Sequence, residues 1–581
     1  MPTEQIMSAE VGGLMVAVPP HRSLFGPDYL RLFALLVVGV AIHGWLIAHT
    51  AVPARDSLGY ARIALNLSYP SAGSQGEHRQ RIDVIRTAEQ PPGYPIAVWV
   101  TEKALRSVVE LPLPDRSLLA TQLANAIAAV LLVVPLYLIG RILFGRNVGF
   151  GAALLFQVLP VPARMTSDGL SEGVYLLVVA TAILFAVRSV RQPGVGGFLL
   201  CGMATGASYL VRPEGLGVAI AVGAVIAWSG LTRRWPRDQA LGWLTALLVG
   251  VALVGLPYMM LIGKLTNKPT GGTILNPFDK QPPKIWRFDD ARGEGRPTVS
   301  TALFAKWWDP KVDAGKNREV WALEAVWSEL IKSLHYVIGA LAVFGLIAHR
   351  RQLFSPDPGM WFLIVLAALN VALMVYLADR IRYVSERHTL QFVMLSCVFA
   401  SAALEPLANF LGSLPKLGRL IVWPKAAPGS LLFGIVLSAL PFTLQTMHAQ
   451  REGHKYAGRW LASQMADDDW LVDPLAWAEW YAGRTLYKTT SYDGHPKVKW
   501  VVVEEGKISP HSRIPQWELA NELKEKGELV FKWPESPKSK SSPVVCVYRV
   551  EIEEPKPLPP ISQPVHTTAP PPREVPSGGG Q

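Results

Sequence analysis

The chain is expected to be an α-helical polytopic membrane protein of about 11 transmembrane helices with a small C-terminal α/β domain, and three observations carry that expectation. Half of its 581 residues are hydrophobic and only 17% are charged, against about 25% charged in an ordinary soluble chain. Apolar runs of roughly the 20 residues that cross a bilayer recur as far as Met447. Beyond Met447 the pattern changes to short helix-like and strand-like stretches. The net charge of +11 is therefore not a nucleic-acid footprint; where the basic residues lie matters more than their sum. Cys201, Cys397 and Cys546 stand apart, with no CxxC or Cys/His cluster, which supports neither a disulfide framework nor a structural zinc site.

Taken in order, the first run is Leu30 to Val52. No short charged-then-apolar segment with a small-residue cleavage site precedes it, so it reads as a retained span. Leu118 to Phe144 follows, then the shorter runs Val148 to Val161 and Leu170 to Val187, then Gly197 to Val211, Gly215 to Leu231 and Leu241 to Ile262. After a long polar interval come Leu330 to Ala348, Met360 to Leu377, Leu390 to Leu411 and Ser430 to Met447. The connections alternate in charge. His21, Arg22, Arg141, Arg146, Arg188, Arg191, Arg233, Arg234, Arg237, Arg350, Arg351, Lys416, Arg419 and Lys425 fall in one set of short loops, which the positive-inside rule makes cytoplasmic together with the N-terminus. The other set faces outward and ends in the C-terminal region.

The resulting division has a cytoplasmic N-terminal segment at 1–29 and a membrane domain at 30–449 with long outward loops at 53–117 and 263–329. An extracytoplasmic α/β domain at 450–553 and a disordered Pro-rich tail at 554–581 complete it. Within 450–553, Tyr456 to Met465 and Gln516 to Lys526 read as helices. Val498 to Glu504, Glu528 to Trp533 and Val544 to Val550 read as strands, on their β-branched runs. Trp470, Trp477, Trp480 and Tyr481 could stack on a sugar, but buried core is the simpler reading and no catalytic part is assigned to them.

Chemistry is expected in the outward connections, where charged side chains gather at span ends. Asp56 directly follows the first span, and Leu58, Ala61, Ile63, Ala64, Leu65 and Leu67 give the segment after it the apolar face of a helix lying along the membrane. Two roles fit a carboxylate there: a functional acid at membrane depth, or an N-terminal helix cap. Tyr60 and Glu89 share that loop; Asp168 and Glu172 flank the fourth span; Arg212 and Glu214 sit in Arg212-Pro213-Glu214-Gly215; Arg380, Arg382, Tyr383, Glu386, Arg387 and His388 precede the tenth. Charges at this depth need a cavity or a partner, so together they imply a polar chamber. Acids that can take a proton beside arginines that can hold a phosphate suit transfer from a phosphate-linked donor. Structural ion pairs Arg212–Glu214 and Arg382–Glu386 are the alternative.

Asp56 with Tyr60, the run Pro91-Pro92-Gly93-Tyr94-Pro95, Ser171-Glu172-Gly173-Val174-Tyr175, Arg212-Pro213-Glu214-Gly215 and Arg387-His388-Thr389-Leu390 resemble the GT-C glycosyltransferases. That group includes protein O-mannosyltransferases and lipid A aminoarabinose transferases. The resemblance covers residues 30 to 450 and implies a multi-pass enzyme of the cell (inner or plasma) membrane. It further implies a sugar donor on a polyprenyl phosphate, inversion at the anomeric carbon, and an extracytoplasmic protein, lipid or glycan acceptor. Carried over residue by residue, Asp56 would be the general base and Asp168 a second acid that orients the acceptor or a divalent metal ion, the one cofactor to consider. Arg382 and Arg387 would hold the lipid phosphate, with Tyr60, Glu89, Glu172, Arg212, Glu214, Tyr383 and His388 around the substrates. The sequence departs from the family pattern in carrying Gln90 where many relatives have His or Lys before the double proline. It departs again in having Arg387-His388 with Arg382-Tyr383 upstream, which leaves open which arginine corresponds.

Two other functions compete: a transporter or flippase for lipid-linked sugars, and an outward-facing ligase of preassembled glycans. Transporters commonly show paired halves with interrupted helices. No such repeat is visible, and an early Asp in a long first loop favours single-sugar transfer over a ligase.

Overall fold

The computed structural model describes residues 28–70, 80–268, 306–308, 313, 315–353, 357–414, 427–484, 486–487, 496–505, 515–536 and 543–552. The expected N-terminal segment up to residue 27, most of the polar interval after Lys268 and the Pro-rich tail lie outside them.

Twelve helices lead the chain: α1 (Tyr29–Ala48), α2 (Asp56–Ser68), α3 (Arg81–Thr87), α4 (Gly93–Arg106), α5 (Leu113–Leu131), α6 (Val133–Phe144), α7 (Arg146–Val158), α8 (Pro160–Ser167), α9 (Glu172–Arg191), α10 (Val195–Val211), α11 (Gly217–Leu231) and α12 (Arg237–Ile262). Among the described residues, 7 helices are long and apolar enough to cross a membrane, counting α5 with α6 as one, and up to 9 if two bent pairs each count as a span. The shorter apolar helices Val195–Val211 and Ala427–Thr443 bring the total to the eleven runs read in the sequence. The chain is a multi-pass membrane protein.

Two of these spans differ from their reading as simple runs. The third is α7 followed by α8 at a 65° bend, and the eighth is preceded by Arg318–Ser333, which meets Val337–Ala348 at 95°. The first break falls at Leu159-Pro160, where proline at the first position of α8 ends one helix and starts another. The second passes through His335 and Tyr336, both at positive φ. Arg318–Ser333 buries one stripe, Trp321, Ala325, Val326 and Leu330, against Met374 and Ala378, as an amphipathic helix at an interface should.

At the core stands α9, with Leu176, Val179, Ala180, Ile183, Ala186 and Val187 buried, beside the long helix Glu386–Ser413. The α10–α12 pair is held by small residues: a Cβ on Gly202 would meet the Leu247 carbonyl oxygen, and one on Gly250 the Leu199 carbonyl oxygen. Close approach of backbones replaces the hydrophobic drive that is weak inside a bilayer. Gly202→Val is expected to lower the melting temperature, because forced separation of packed elements typically costs about 1–3 kcal/mol; an unshifted thermal unfolding curve would show that the two helices part freely.

After the last apolar helix, Glu452–Gln464 leads into a four-stranded sheet of order β3-β4-β6-β5. Its strands are β3 (Trp470–Val472), β4 (Val498–Glu505), β5 (Glu528–Trp533) and β6 (Val544–Glu551). Trp500 and Val502 face Ala457 and Leu461 of Glu452–Gln464, while Val501 and Val503 face Ala520 of the helix Pro515–Lys524. Coverage of both faces accounts for the unbroken valine run. A separate two-stranded pair, β1 (Lys306–Trp307) with β2 (Tyr383–Val384), fastens the polar interval to the segment before Glu386. All three cysteines are buried and free.

Candidate active site

One end of the helical region gathers acids and bases from five separate places in the chain. Asp56 is the first residue of α2, with Arg55 at the cap position, and its carboxylate reaches across to Arg387, whose Nη1 donates to Oδ2 at 2.5 Å. Arg387 Nε lies 3.7 Å from Glu172 Oε1. The same Glu172 oxygen accepts from Arg212 Nη1 at 2.7 Å. Arg212 Nε lies 3.7 Å from Glu214 Oε2, and Glu214 Oε1 accepts from Lys268 Nζ at 3.0 Å. The side chains thus alternate in sign, Asp56–Arg387–Glu172–Arg212–Glu214–Lys268. Burial of charge at this depth is tolerable only with such pairing.

Local sequence sets each member. Gly173 lets α9 start against α5: its N–H donates to Asn125 Oδ1 at 2.5 Å, and a Cβ there would strike the Asn125 carbonyl. Asn125 also donates to the Met165 and Asp168 carbonyls at 3.0 and 2.9 Å, fixing the turn that leads to Glu172. Arg212 ends α10 in extended backbone because Pro213 follows, and the Pro213–Leu216 turn presents Glu214. Ser385 caps the helix that carries Arg387 in a reciprocal box with His388.

Beside this chain lies a cleft with about 510 Å³ of atom-free space, open mouth included. It is lined by Glu172, Arg212, Glu214, Arg387 and His388, by the polar side chains of Tyr175, Asn370 and Gln391, and by Leu176, Leu373, Met374, Leu377 and Leu390. Arg387 Nε and Glu172 Oε2 are buried with no hydrogen-bond partner among the described residues. The site therefore offers a donor and an acceptor for a ligand with an anionic head and an apolar body.

The candidates read from the sequence separate into groups. Asp56, Glu172, Arg212, Glu214 and Arg387 are joined in the chain, and His388 lines the cleft. Tyr60 lies against them, its hydroxyl 3.4 Å from Ser171 Oγ and its ring edge-to-face with Tyr94. Burial first, then the Glu172 and Asp56 carboxylates, pushes the Tyr60 hydroxyl up to about 12, so it remains a proton-bearing donor. Tyr383 is buried in β2, edge-on to the His388 ring. Arg382 and Glu89 are not brought in: Arg382 ends its helix at positive φ, with its carbonyl accepting from Trp308 N, and Glu89 is exposed on the bend between α3 and α4. The structure thus distinguishes the two arginines that the sequence left equivalent.

Asp168 is buried and committed elsewhere. Its Oδ1 accepts from the Ala54 and Gly169 N–H groups, both at 2.7 Å, and its Oδ2 lies 2.7 Å from His448 Nε2. Among the described residues no group of three or more His, Cys, Asp or Glu comes together as a metal site. With Asp56 drawn to Arg387 and Asp168 to His448, the described side chains as arranged do not form a metal centre.

Sequence reasoning passed over Lys268, Tyr175, Asn370, Gln391 and His448. Asn370 and Gln391 had a signal, being amides inside apolar runs; Tyr175 donates to Gln391 Oε1 at 2.8 Å and its ring lies under the Arg212 guanidinium. Lys268 and His448 had none beyond adjacency to a span end. Of the two structural ion pairs weighed as the alternative reading, Arg212–Glu214 is present at 3.7 Å and Arg382–Glu386 is not among the ion pairs of the described residues.

Residues 109–258 match the family described as dolichyl-phosphate-mannose-protein mannosyltransferase. A comparison with curated proteins returned no match. Among solved structures, the oligosaccharyltransferase AglB from Archaeoglobus fulgidus, in complex with an inhibitory peptide and a dolichol-phosphate, is 14% identical at a TM-score of 0.48. That match covers 81% of this chain and 61% of the archaeal one, so this chain spans less than two thirds of that protein. ArnT from Cupriavidus metallidurans bound to undecaprenyl phosphate is 13% identical at a TM-score of 0.45, over 90% of this chain and 98% of its own. The S. cerevisiae Pmt1-Pmt2 complex bound to the sugar donor is 12% identical at 0.32, over 49% and 39%. The matched segment runs from just before α5 into α12 and carries Asp168, Glu172, Arg212 and Glu214, so the likeness to the mannosyltransferase family falls on the part of the chain that supplies most of the charged site.

Proposed function

We propose that the chain moves a sugar from a polyprenyl-phosphate donor to an acceptor on the extracytoplasmic side of the cell (inner or plasma) membrane, by inverting displacement. The observation that carries this reading is Arg387, which bridges Asp56 and Glu172 in the lining of a cleft that also holds Leu176, Leu373, Met374, Leu377 and Leu390. The leucines and Met374 of the lining suit the first isoprene units, and Arg387 and Arg212 suit the phosphate. Donor phosphate competes with Asp56 for Arg387, which releases the Asp56 carboxylate to act.

Asp56 then takes the proton from the acceptor's nucleophile as that atom bonds to the anomeric carbon. The bond from that carbon to the phosphate oxygen breaks on the opposite face, and the electron pair leaves with the polyprenyl phosphate. Arg387 and Arg212 offset the charge that grows there. Tyr60 donates a hydrogen bond near the reacting centre, and His388 lines the donor side.

The test is reconstitution of the full chain with polyprenyl-phosphate sugars bearing a hexose or an aminopentose, following both sugar transfer and lipid translocation. Release of free polyprenyl phosphate with appearance of a glycosylated acceptor is expected. Movement of intact donor between leaflets without cleavage would favour a flippase, and block transfer of a preassembled glycan a ligase.

Sidedness is tested separately. In intact cells, cysteines placed at exposed Ser463 and Thr232 are expected to react with an impermeant maleimide only at Ser463. The native cysteines are buried and give little background. Labelling at Thr232 alone would invert the orientation.

A further inference from the structure

The charged chain fixes what Asp56 faces, but not what holds the backbone that carries it. That backbone is short: six residues, 50–55, connect the end of α1 region to Asp56. Much of it is tied to places far away in sequence. Ala51 N donates to Met447 O at 3.1 Å, and Met447 N to His49 O at 3.0 Å. The Pro53 carbonyl accepts from Trp477 Nε1 at 3.0 Å. Ala54 N donates to Asp168 Oδ1 at 2.7 Å, and Asp168 Oδ2 meets His448 Nε2 at 2.7 Å. A carboxylate only accepts, so the imidazole nitrogen is the donor in that pair.

Three of these anchors, Met447, His448 and Trp477, follow the last apolar helix. His448 adopts φ of 53°, a left-handed conformation uncommon for a residue with a side chain, and Ala476, next to Trp477, adopts 63°. Both turns aim their neighbourhoods at the 50–55 segment. Trp477 and Trp480 are fully buried, and with Leu475 they pack on Val52 and on Leu58, Ala61 and Leu65 of α2. Leu58, Ala61 and Leu65 of the face expected to lie on the membrane are thus covered by the C-terminal region, and Ala64 of that face by the main helical core.

We propose that His448 and Trp477 are positioning residues for Asp56, acting through Asp168 and Pro53, so that the C-terminal domain is a working part of the catalytic site. The proposal rests on Asp56 being the base. Loss of either tie lets the start of α2 shift, and misplacement of a reacting group by about 1 Å costs on the order of 10²-fold in rate. The donor's phosphate, held by Arg387 and Arg212, would not be held less tightly, because displacing Asp56 removes a competitor for Arg387.

The experiment uses the full chain reconstituted with the polyprenyl-phosphate sugar that wild type turns over best, and undecaprenyl phosphate as binding probe. His448→Ala is expected to lower kcat at least about tenfold with donor KM not raised and undecaprenyl phosphate binding not weakened. His448→Gln, which keeps a donor within reach of Asp168, is expected to recover most of that loss. Trp477→Phe, which keeps the buried ring and drops the N–H, should lower kcat alone. An unchanged kcat in His448→Ala would overturn the proposal. So would a joint fall of kcat and undecaprenyl phosphate binding in which Gln is as poor as Ala, since that reports general disruption. Asp56→Asn separates the two readings. If it turns over normally, the assignment of the base fails; if it is inactive while His448→Ala is normal, only the positioning role fails.

Discussion

Asp56→Asn is expected to abolish sugar transfer while the donor stays bound. Asn keeps the size of the side chain and can still accept from Arg387, but it cannot take a proton, and loss of a general base typically costs about 10²–10⁴-fold. Binding should move the other way. The chain Asp56–Arg387–Glu172–Arg212–Glu214–Lys268 balances three carboxylates against three cations. Removing one carboxylate leaves a surplus positive charge beside the phosphate position, so undecaprenyl phosphate should bind as well as before or more tightly. Single-turnover transfer and equilibrium binding on the same preparation measure both effects. Normal transfer by the mutant would remove Asp56 from the mechanism. A transporter would show no transfer to lose.

The second large effect is on the opposite side of the same pair. Arg387→Ala removes a charge-assisted hydrogen bond and leaves Asp56 and Glu172 facing each other without their shared cation. Loss of about 1.5–3 kcal/mol in donor binding follows from the charged hydrogen bond alone, which is about 10- to 150-fold in affinity. Arg382→Ala should leave donor binding unchanged, since that side chain takes no part in the charged chain or the cleft lining. Titration of both variants with undecaprenyl phosphate decides it. Equal weakening in both, or in neither, would contradict the assignment of the phosphate to Arg387.

Much of this arrangement could be read before any coordinates. Spans are written in the sequence by hydropathy, because a bilayer admits only long apolar helices with their backbone groups satisfied internally. The strands of the C-terminal region were equally plain from β-branched runs, and Glu528–Trp533 fell where it was expected. Charges at span ends announced a site, because placing them there is costly. The pairing was not legible. Arg382 and Arg387 are five residues apart with similar neighbours, and only the positive φ that ends one helix at Arg382 and the cap that starts the next at Ser385 turn them to different surroundings. Asp168 reads as an acid at a span end whether it does chemistry or holds Ala54 and His448. The bend between α7 and α8 had a proline to mark it, whereas the turn at His335-Tyr336 did not.

The balanced charge of the six side chains also bears on how a catalytic cycle would finish. A glycosylated polyprenyl phosphate is a phosphodiester with a single negative charge, but the spent carrier is a phosphomonoester, which carries about −1.5 to −2 at neutral pH. The same two arginines that accept the donor would hold the spent carrier harder. Glycosylated acceptor would then depart first, and the lipid would leave only as Asp56 and Glu172 reclaimed Arg387. Turnover would be paced by the return of those carboxylates to their cation, so that the ion pairs seen in the structure are the step that resets the enzyme.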